Sequence, residues 1–288
     1  MSVVLKKNKS KKINIQKLIK IAKKNSFAIL VGLLIISTIV LIGVNIYFGN
    51  SVDIEEKHIA NLYEYISNEE ITKCEGLLFY SDDKVTKDGL TDGQKTCISF
   101  IKTDNLKGET VKLKKDKKSK ICSLEDGIKF ATDNYEGKKC TIKKYETSLV
   151  KAKYKEIFGE NMPEDLKSFV IDDANICYLK DNEYYCGLSE IFSFTIGNES
   201  FVYRTINQAK EKGNNEVIIY DYFIKINNNK CYPSFNSTKE IKECSKKYNS
   251  KDKMNFKFIK KHGTKYKHIF KKLDNSDNYY WFSSEPIN

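Results

Sequence analysis

The longest uninterrupted apolar stretch runs from Phe27 to Phe48 (FAILVGLLIISTIVLIGVNIYF), 22 residues without a charge. As a helix rising about 1.5 Å per residue it would extend roughly 33 Å, enough to cross a hydrocarbon core about 30 Å thick. Its polar interruptions, Ser37, Thr38 and Asn45, are few and small, and Tyr47 and Phe48 stand at its outer end, where aromatic rings favour the headgroup level. A buried helix of a soluble protein rarely runs so long without a polar face. The pattern predicts a transmembrane helix over residues 26–49. It is longer than the h-region of a cleaved signal peptide, and the following GNSVDIEE offers only a poor small-x-small site at Gly49 and Ser51. An uncleaved signal-anchor is therefore expected.

Downstream the periodicity changes character. Asp53 and Glu56 form a capping-box pattern ahead of a helical stripe of Ile59, Leu62, Tyr63 and Ile66. A second helix is expected from Asp92 to Ile101, and residues 105–145 read as loops stapled by Cys122 and Cys140. From residue 146 the order becomes one helix followed by strands. Thr147 or Ser148 caps a helix with Val150, Tyr154, Ile157 and Phe158 on one face, and Gly159 is placed to end it. Strands follow near 168–179 and 184–195, then a hairpin near 200–226. In its second arm Ile218, Tyr220, Tyr222, Ile224 and Ile226 recur at period two and predict the core-facing side. A short helix near 238–247 precedes a last hairpin with its turn at Asp274–Asp277. The expected class is α+β: one N-terminal transmembrane helix, a mainly helical disulfide-stapled region over 50–145, and a helix packed on an antiparallel sheet over 146–288.

Charge fixes the orientation. Residues 1–25 hold nine lysines and no acid, and such a flank stays cytoplasmic. Nine of the twelve net charges lie in this tail, so the outer portion carries only about +3 and a nucleic-acid partner is not expected. The remaining basic run, Lys112–Lys120, reads as a solvated loop or a contact for anionic wall polymer or lipid headgroups. The chain is thus expected as a single-pass membrane protein, with 1–25 as cytoplasmic tail and everything after residue 49 extracytoplasmic. Its expected partners are the lipid bilayer and an envelope protein or glycan.

All eight cysteines (Cys74, Cys97, Cys122, Cys140, Cys177, Cys186, Cys231, Cys244) follow the apolar run, as disulfides in an oxidising compartment require. Zinc is disfavoured by the absence of any C-x-x-C and by only three histidines, and no cofactor is expected. Around an Asp181-Asn182 turn, counting outward places Cys177 opposite Cys186 in a non-hydrogen-bonded pair, where Cα atoms approach to about 4.5 Å. Nearest-neighbour pairing gives Cys74–Cys97, Cys122–Cys140 and Cys231–Cys244, one of 105 possible connectivities.

Richness in Lys, Asn, Ile and Tyr, with the short basic leader, resembles membrane-anchored extracytoplasmic proteins of low-GC Gram-positive bacteria, an assortment that implies no activity. The element order over 146–288 is similar to NTF2-like and cystatin-like α+β folds, which host enzymes, binding modules and scaffolds alike.

No phosphate loop, nucleophile elbow, metalloprotease or EF-hand pattern occurs. His268 falls with Tyr266 and Phe270 on one strand face and reads as a histidine at a sheet face or rim; His58 and His262 read as surface residues. Among Asp172, Asp173, Glu183, Glu190 and Asp221, Asp221 interrupts an apolar strand and is expected to face solvent. Asn198 and Asn236 begin glycosylation-like triplets of the kind Asn-rich chains contain by chance. Tyr279, Tyr280 and Trp281 form an aromatic cluster suited to a protein, glycan or peptide surface if exposed. A non-enzymatic binding, assembly or sensory module is expected; a tethered hydrolase or transferase with an unrecognised carboxylate site is the alternative.

Overall fold

The computed structural model describes residues 31, 34–38, 40, 50–66, 74, 78–115, 121–124, 127–132, 141–164, 167–172, 174–189, 200–227, 230–247 and 255–287. The lysine tail and most of the Phe27–Phe48 run lie outside these residues. Val31, Leu34–Thr38 and Val40 are helical and exposed, and the hydroxyls of Ser37 and Thr38 both donate to the Leu34 carbonyl, at 2.8 and 2.7 Å. Such back-bonding is how an apolar helix tolerates these side chains. Residues Met1–Gly49 and Asn50–Asn288 are separate compact units.

The second unit begins with β1 (Asn50–Val52), α1 (Lys57–Ile66), a 3-10 turn at Leu78–Tyr80, β2 (Val85–Thr86), a 3-10 turn at Lys87–Gly89 and α2 (Asp92–Lys102). Next come β3 (Glu109–Lys112), β4 (Lys114–Lys115), β5 (Ile121–Ser123), β6 (Lys129–Ala131), β7 (Thr141–Glu146) and α3 (Thr147–Phe158). β8 (Ser168–Val170), β9 (Asn175–Lys180), β10 (Glu183–Leu188), β11 (Ser200–Lys212), β12 (Glu216–Asn227) and β13 (Lys230–Tyr232) follow. The chain closes with α4 (Lys242–Lys247), α5 (Phe256–His262), β14 (Thr264–Lys272) and β15 (Tyr279–Ile287). All pairing is antiparallel, in sheets ordered β1-β11-β12-β14-β15-β2 with β13 beside β12, β3-β7-β10-β9-β8, and β4-β5-β6.

Local chemistry sets several of these boundaries. The Thr91 hydroxyl accepts from the Gln94 amide while the Gln94 side chain accepts from the Thr91 amide, closing a capping box at the start of α2. Gly159, at φ +73°, ends α3 in the left-handed conformation, and its amide donates to the Lys155 carbonyl. Asp181 and Asn182 both take positive φ (50° and 61°), the conformation a two-residue turn needs between β9 and β10.

One face of the β11–β12–β14–β15 sheet packs against α1, α3 and the Leu78–Tyr80 turn. Phe79 meets Trp281 edge-on at 4.8 Å, and Tyr80 stacks on Phe223 at 4.7 Å. Ile59, Ile66, Val150, Ile157, Phe158, Val217 and Ile219 complete a core without solvent access, each such side chain contributing about 1.5–3 kcal/mol. A smaller cluster of Ile224, Ile226, Cys231, Cys244 and Ile259 joins the far end of β12 to β13, α4 and α5.

The expected fold class needs correction. Among the described residues no helix is long and apolar enough to cross a membrane. The region 50–145 is not mainly helical. Among the described residues it holds α1 and α2 but also seven short strands, β1 to β7 with the last ending at Glu146, and five of them, β3 to β7, begin within the stretch 105–145 expected as loops. Their apolar content is too low to show at period two, because β3 and β4 carry Glu109, Lys112, Lys114 and Lys115. The molecule is sheet-rich. β1 and β2 pair with β11 and β15, so the early segment supplies both edge strands of the large sheet.

Disulfides join Cys74–Cys97, Cys177–Cys186 and Cys231–Cys244. In the register of β9 and β10, Cys186 stands opposite Cys177 with Cα atoms 4.1 Å apart. Cys122 is also disulfide-bonded, and Cys140 lies outside the described residues. Such bonds persist in oxidising compartments, so this unit is extracytoplasmic.

Candidate functional site

Asp221, His268 and Ser284 come from three adjacent strands and lie on the core face of the large sheet. Ser284 stands directly opposite His268 in the β14–β15 register; Asp221 on β12 is two residues beyond Ile219, the partner of His268. The pairing shifts between Ile269–Ser283 and Phe270–Trp281, leaving Phe282 as the extra residue. This bulge puts Trp281 and Ser284, three apart in sequence, on the same face, where strict alternation would oppose them.

The side chains then form a continuous hydrogen-bonded line. Trp281 Nε1 donates to Ser284 Oγ at 2.9 Å, Ser284 Oγ lies 2.6 Å from His268 Nδ1, and His268 Nε2 lies 3.0 Å from Asp221 Oδ1. The hydroxyls of Tyr63 (α1) and Tyr80 donate to Asp221 Oδ2 at 2.8 and 2.7 Å. Burial first, and the Asp221 carboxylate second, push both phenols well above their ordinary pKa, so both remain donors. With the imidazole protonated at Nε2, the serine hydroxyl donates to Nδ1 and every polar atom of the line has a partner. Arg204 on β11 lies over the Tyr80 ring at 5.8 Å and donates to the Ile66 carbonyl at 3.3 Å. Burial opposes its charge, but Tyr80, Tyr63 and Asp221 outweigh that and hold its pKa above the usual value.

Serine, histidine and aspartate in a hydrogen-bonded line are the residue types of a nucleophilic hydrolase. Here Ser284, His268 and Asp221 are 1%, 0% and 0% exposed. None of them lines the clefts at Leu273–Asn278 or the one beside residues 105–109. Oγ already accepts from Trp281 and donates to His268, and Trp281 covers it. The arrangement holds the sheet together. It offers no atom to a substrate.

A cleft of about 330 Å³ lies between residues 105–109 and β7, and two larger ones open on either side of the β14–β15 turn, Leu273–Asn278. One, of about 760 Å³, is lined by Tyr65 of α1, Glu156 and Lys155 of α3, and Asp274, Asp277 and Tyr279. The other, of about 710 Å³, is lined by Asn215, Lys271, Lys272, Asp274, Asp277 and Tyr280. Successive strand residues point to opposite faces, so Tyr279 and Tyr280 serve different clefts. In the first cleft the Tyr65 hydroxyl donates to Glu156 at 2.5 Å and Lys153 pairs with Glu156 at 2.8 Å. Burial, then the Glu156 hydrogen bond, raise the Tyr65 pKa. Tyr279 is raised chiefly by burial and points its hydroxyl at the Asn214 carbonyl, 3.5 Å away.

Of the aromatic trio expected as a surface, Tyr279 and Tyr280 line clefts, whereas Trp281 is fully buried. One further expectation is corrected. Asp221 is inside, because the residues of β12 facing the main core are Val217, Ile219, Asp221 and Phe223. Of the two places expected for His268, a sheet face or a rim, it takes the face, fully buried on the core side with Tyr266 and Phe270. His58 is part-exposed between Glu56 and Glu211, at 3.2 and 3.3 Å. His262 stacks on Phe258 at 4.4 Å and faces Glu243 at 3.4 Å. Asp172 caps the turn before β9 by accepting from the amides of Ala174 and Asn175, and Glu183 pairs with Lys144 at 3.1 Å. Asp173, Glu190 and Asn198 lie outside the described residues, and Asn236 is exposed. The sequence places Tyr63 only on a helical stripe and gives no sign of Tyr80, Arg204 or Ser284, whose partners depend on the strand register. No group of residues suited to a metal ion occurs among the described residues.

Comparison with known protein families, with curated proteins and with solved structures finds no match to this chain.

Proposed function

We propose that this chain is a non-enzymatic binding module of the cell envelope, held at the membrane by its N-terminal hydrophobic run, with the turn Leu273–Asn278 as its contact surface. Support for the anchor is the uncharged run Phe27–Phe48 behind nine lysines, which favours a cytoplasmic N-terminus and a single pass. The observation that carries the binding reading is the placement of Tyr279 and Tyr280 in clefts on two sides of one turn. A tyrosine ring gives a glycan or peptide a broad apolar contact with a polar edge. Asp274, Asp277 and Asn215 supply acceptors and an amide around it. The partner class is an envelope protein or glycan. The low-GC Gram-positive resemblance of the composition agrees with that setting.

The rival reading, a tethered hydrolase or transferase, would draw on Glu156 in the larger cleft. That carboxylate is already engaged by Tyr65 and Lys153. The test is photo-crosslinking of the full-length chain in its membrane, with a benzophenone amino acid at position 279 or 280. Capture of one discrete partner at these positions, and not at exposed Phe256, is expected. Equal capture at all three would remove the turn as a contact surface.

A further inference from the structure

The side of the large sheet away from the core carries a second unassigned surface. Lys210 of β11, Tyr220 of β12, Lys265, Lys267 and Lys271 of β14, and Phe282 of β15 occupy it, all part-exposed. Two ammonium groups converge on one ring there: Lys210 Nζ lies 5.9 Å and Lys265 Nζ 4.8 Å from the centre of Tyr220. Those distances keep the two charges within about 11 Å of each other. Lys267, opposite Tyr220 in the register, adds a third charge and is paired with Glu285 at 3.0 Å. Lys84 also reaches Glu285, at 3.6 Å, so this one carboxylate serves two lysines. Farther along β14, Lys271 sits 3.4 Å from the centre of the Phe282 ring. Among the described residues, Lys210, Lys265 and Lys271 have no carboxylate partner.

Like charges held over a common ring repel, and attraction to the ring repays little of that at an exposed site. A multivalent anion laid across them would relieve the repulsion and release their counterions. The chemistry of that anion can be narrowed. No large hydrophobic side chain on this face is among the exposed ones, so nothing here would enter a bilayer. The ring faces of Tyr220 and Phe282 are taken by lysines, so nucleobases would find no free platform to stack on. A flexible, base-free polyanion fits these limits, and a chain of phosphodiester or phosphoanhydride groups has the closely spaced charge that lysines within about 11 Å of each other grip as point charges.

We propose that the outer face of the large sheet binds such a phosphate polymer, with Lys210, Lys265 and Lys271 as its contacts. This surface meets the Tyr280 cleft at Lys271, which lines both, whereas Lys210 and Lys265 line neither of the Tyr279–Tyr280 clefts.

The test uses full-length protein in nanodiscs of zwitterionic lipid, with long-chain inorganic polyphosphate as the probe. Saturable binding is expected, weakening about tenfold or more between 50 and 200 mM salt, as release of about three counterions implies. The variant Lys210→Gln/Lys265→Gln/Lys271→Gln should lose at least tenfold in affinity. The same positions changed to Arg should keep the affinity, which also controls for folding. Removing three charges elsewhere, with Lys57→Gln/Lys114→Gln/Lys257→Gln, should change it less than twofold. Equal losses for the two glutamine variants would overturn the proposal. So would tighter binding of single-stranded DNA or anionic vesicles through the same three lysines, since each names a different ligand.

Discussion

Asp221 Oδ1 and His268 Nε2 lie 3.0 Å apart in the interior of the large sheet, with neither side chain exposed to solvent. The carboxylate is also the acceptor for two tyrosine hydroxyls, and its charge helps to hold the pKa of Arg204 above the usual value. Replacing it with alanine strands several donors at once. Asp221→Ala should destabilise the fold by about 3–5 kcal/mol, because the Tyr63 and Tyr80 hydroxyls and His268 Nε2–H are left buried without an acceptor, at about 1–3 kcal/mol each. Denaturant unfolding under non-reducing conditions measures this. A loss below about 1 kcal/mol would mean that water or a rearranged partner replaces the carboxylate.

The same carboxylate gives stability a dependence on alkaline pH. Tyr63 and Tyr80 have folded-state pKa values raised well above 10.0, by burial first and Asp221 second. A raised pKa stabilises the folded state fully below the unfolded value, and that contribution is lost as pH rises above it. Stability should therefore fall above about pH 10, where unfolded tyrosines ionise. The doubly substituted Tyr63→Phe/Tyr80→Phe protein should be less stable at pH 8 but lose less between pH 9 and pH 11. Denaturant midpoints across that range decide it, and parallel slopes would count against the assignment.

Lys95 is only 6% exposed, and its Nζ lies 2.6 Å from Glu160 Oε1, while Lys87 takes Oε2 at 2.6 Å. Burial acts to raise the Glu160 pKa, but hydrogen bonds from Lys87 and Lys95 outweigh it and hold it below 4.5. A depressed acid stabilises above its unfolded pKa and loses that contribution as pH falls below it. Glu160→Gln should destabilise by about 3 kcal/mol at neutral pH, because it leaves the Lys95 ammonium buried without an anion. The double variant Lys95→Met/Glu160→Gln should recover part of the loss. Thermal unfolding of the two proteins side by side is the measurement, and no recovery would show that the pair is not coupled.

Gly159 is required twice. Its φ of +73° is one that side chains disfavour, and an added Cβ would stand 2.7 Å from Cγ of Tyr280. Gly159→Ala should cost about 1–3 kcal/mol from strain and overpacking together, and should displace Tyr280 from its cleft. A crystal structure or aromatic NMR shifts of the variant would report the displacement, and an unmoved Tyr280 ring would refute it.

Local features were readable from sequence; those depending on register were not. The turn at Asp181–Asn182 sets the opposition of Cys177 and Cys186 within a few residues, so counting along the chain suffices. The α3 stripe Val150, Tyr154, Ile157 and Phe158 and its stop at Gly159 depend only on helical period. β12 is different, because apolar residues fill both parities. Ile218, Tyr220 and Tyr222 advertise one face, yet the main core takes Val217, Ile219 and Phe223, together with Asp221. Period two could not choose between them, since Ile224 and Ile226 are also buried, in the second cluster. The site was hidden for a related reason: the bulge at Phe282 reverses the alternation just before Ser284, and no sequence signal announces it.

That reversal bears on how the sheet finds its pairing. A slip of β15 by one residue against β14 would take Ser284 from His268, uncovering Nδ1 and turning Trp281 away from the core in the same step. The mispaired sheet would bury polar atoms with nothing to bond to, each at about 1–3 kcal/mol. The line from Trp281 to Asp221 thus acts as a proofreading device for strand assembly, rejecting near-native alignments that apolar residues alone, equally greasy on both faces of β12, would accept.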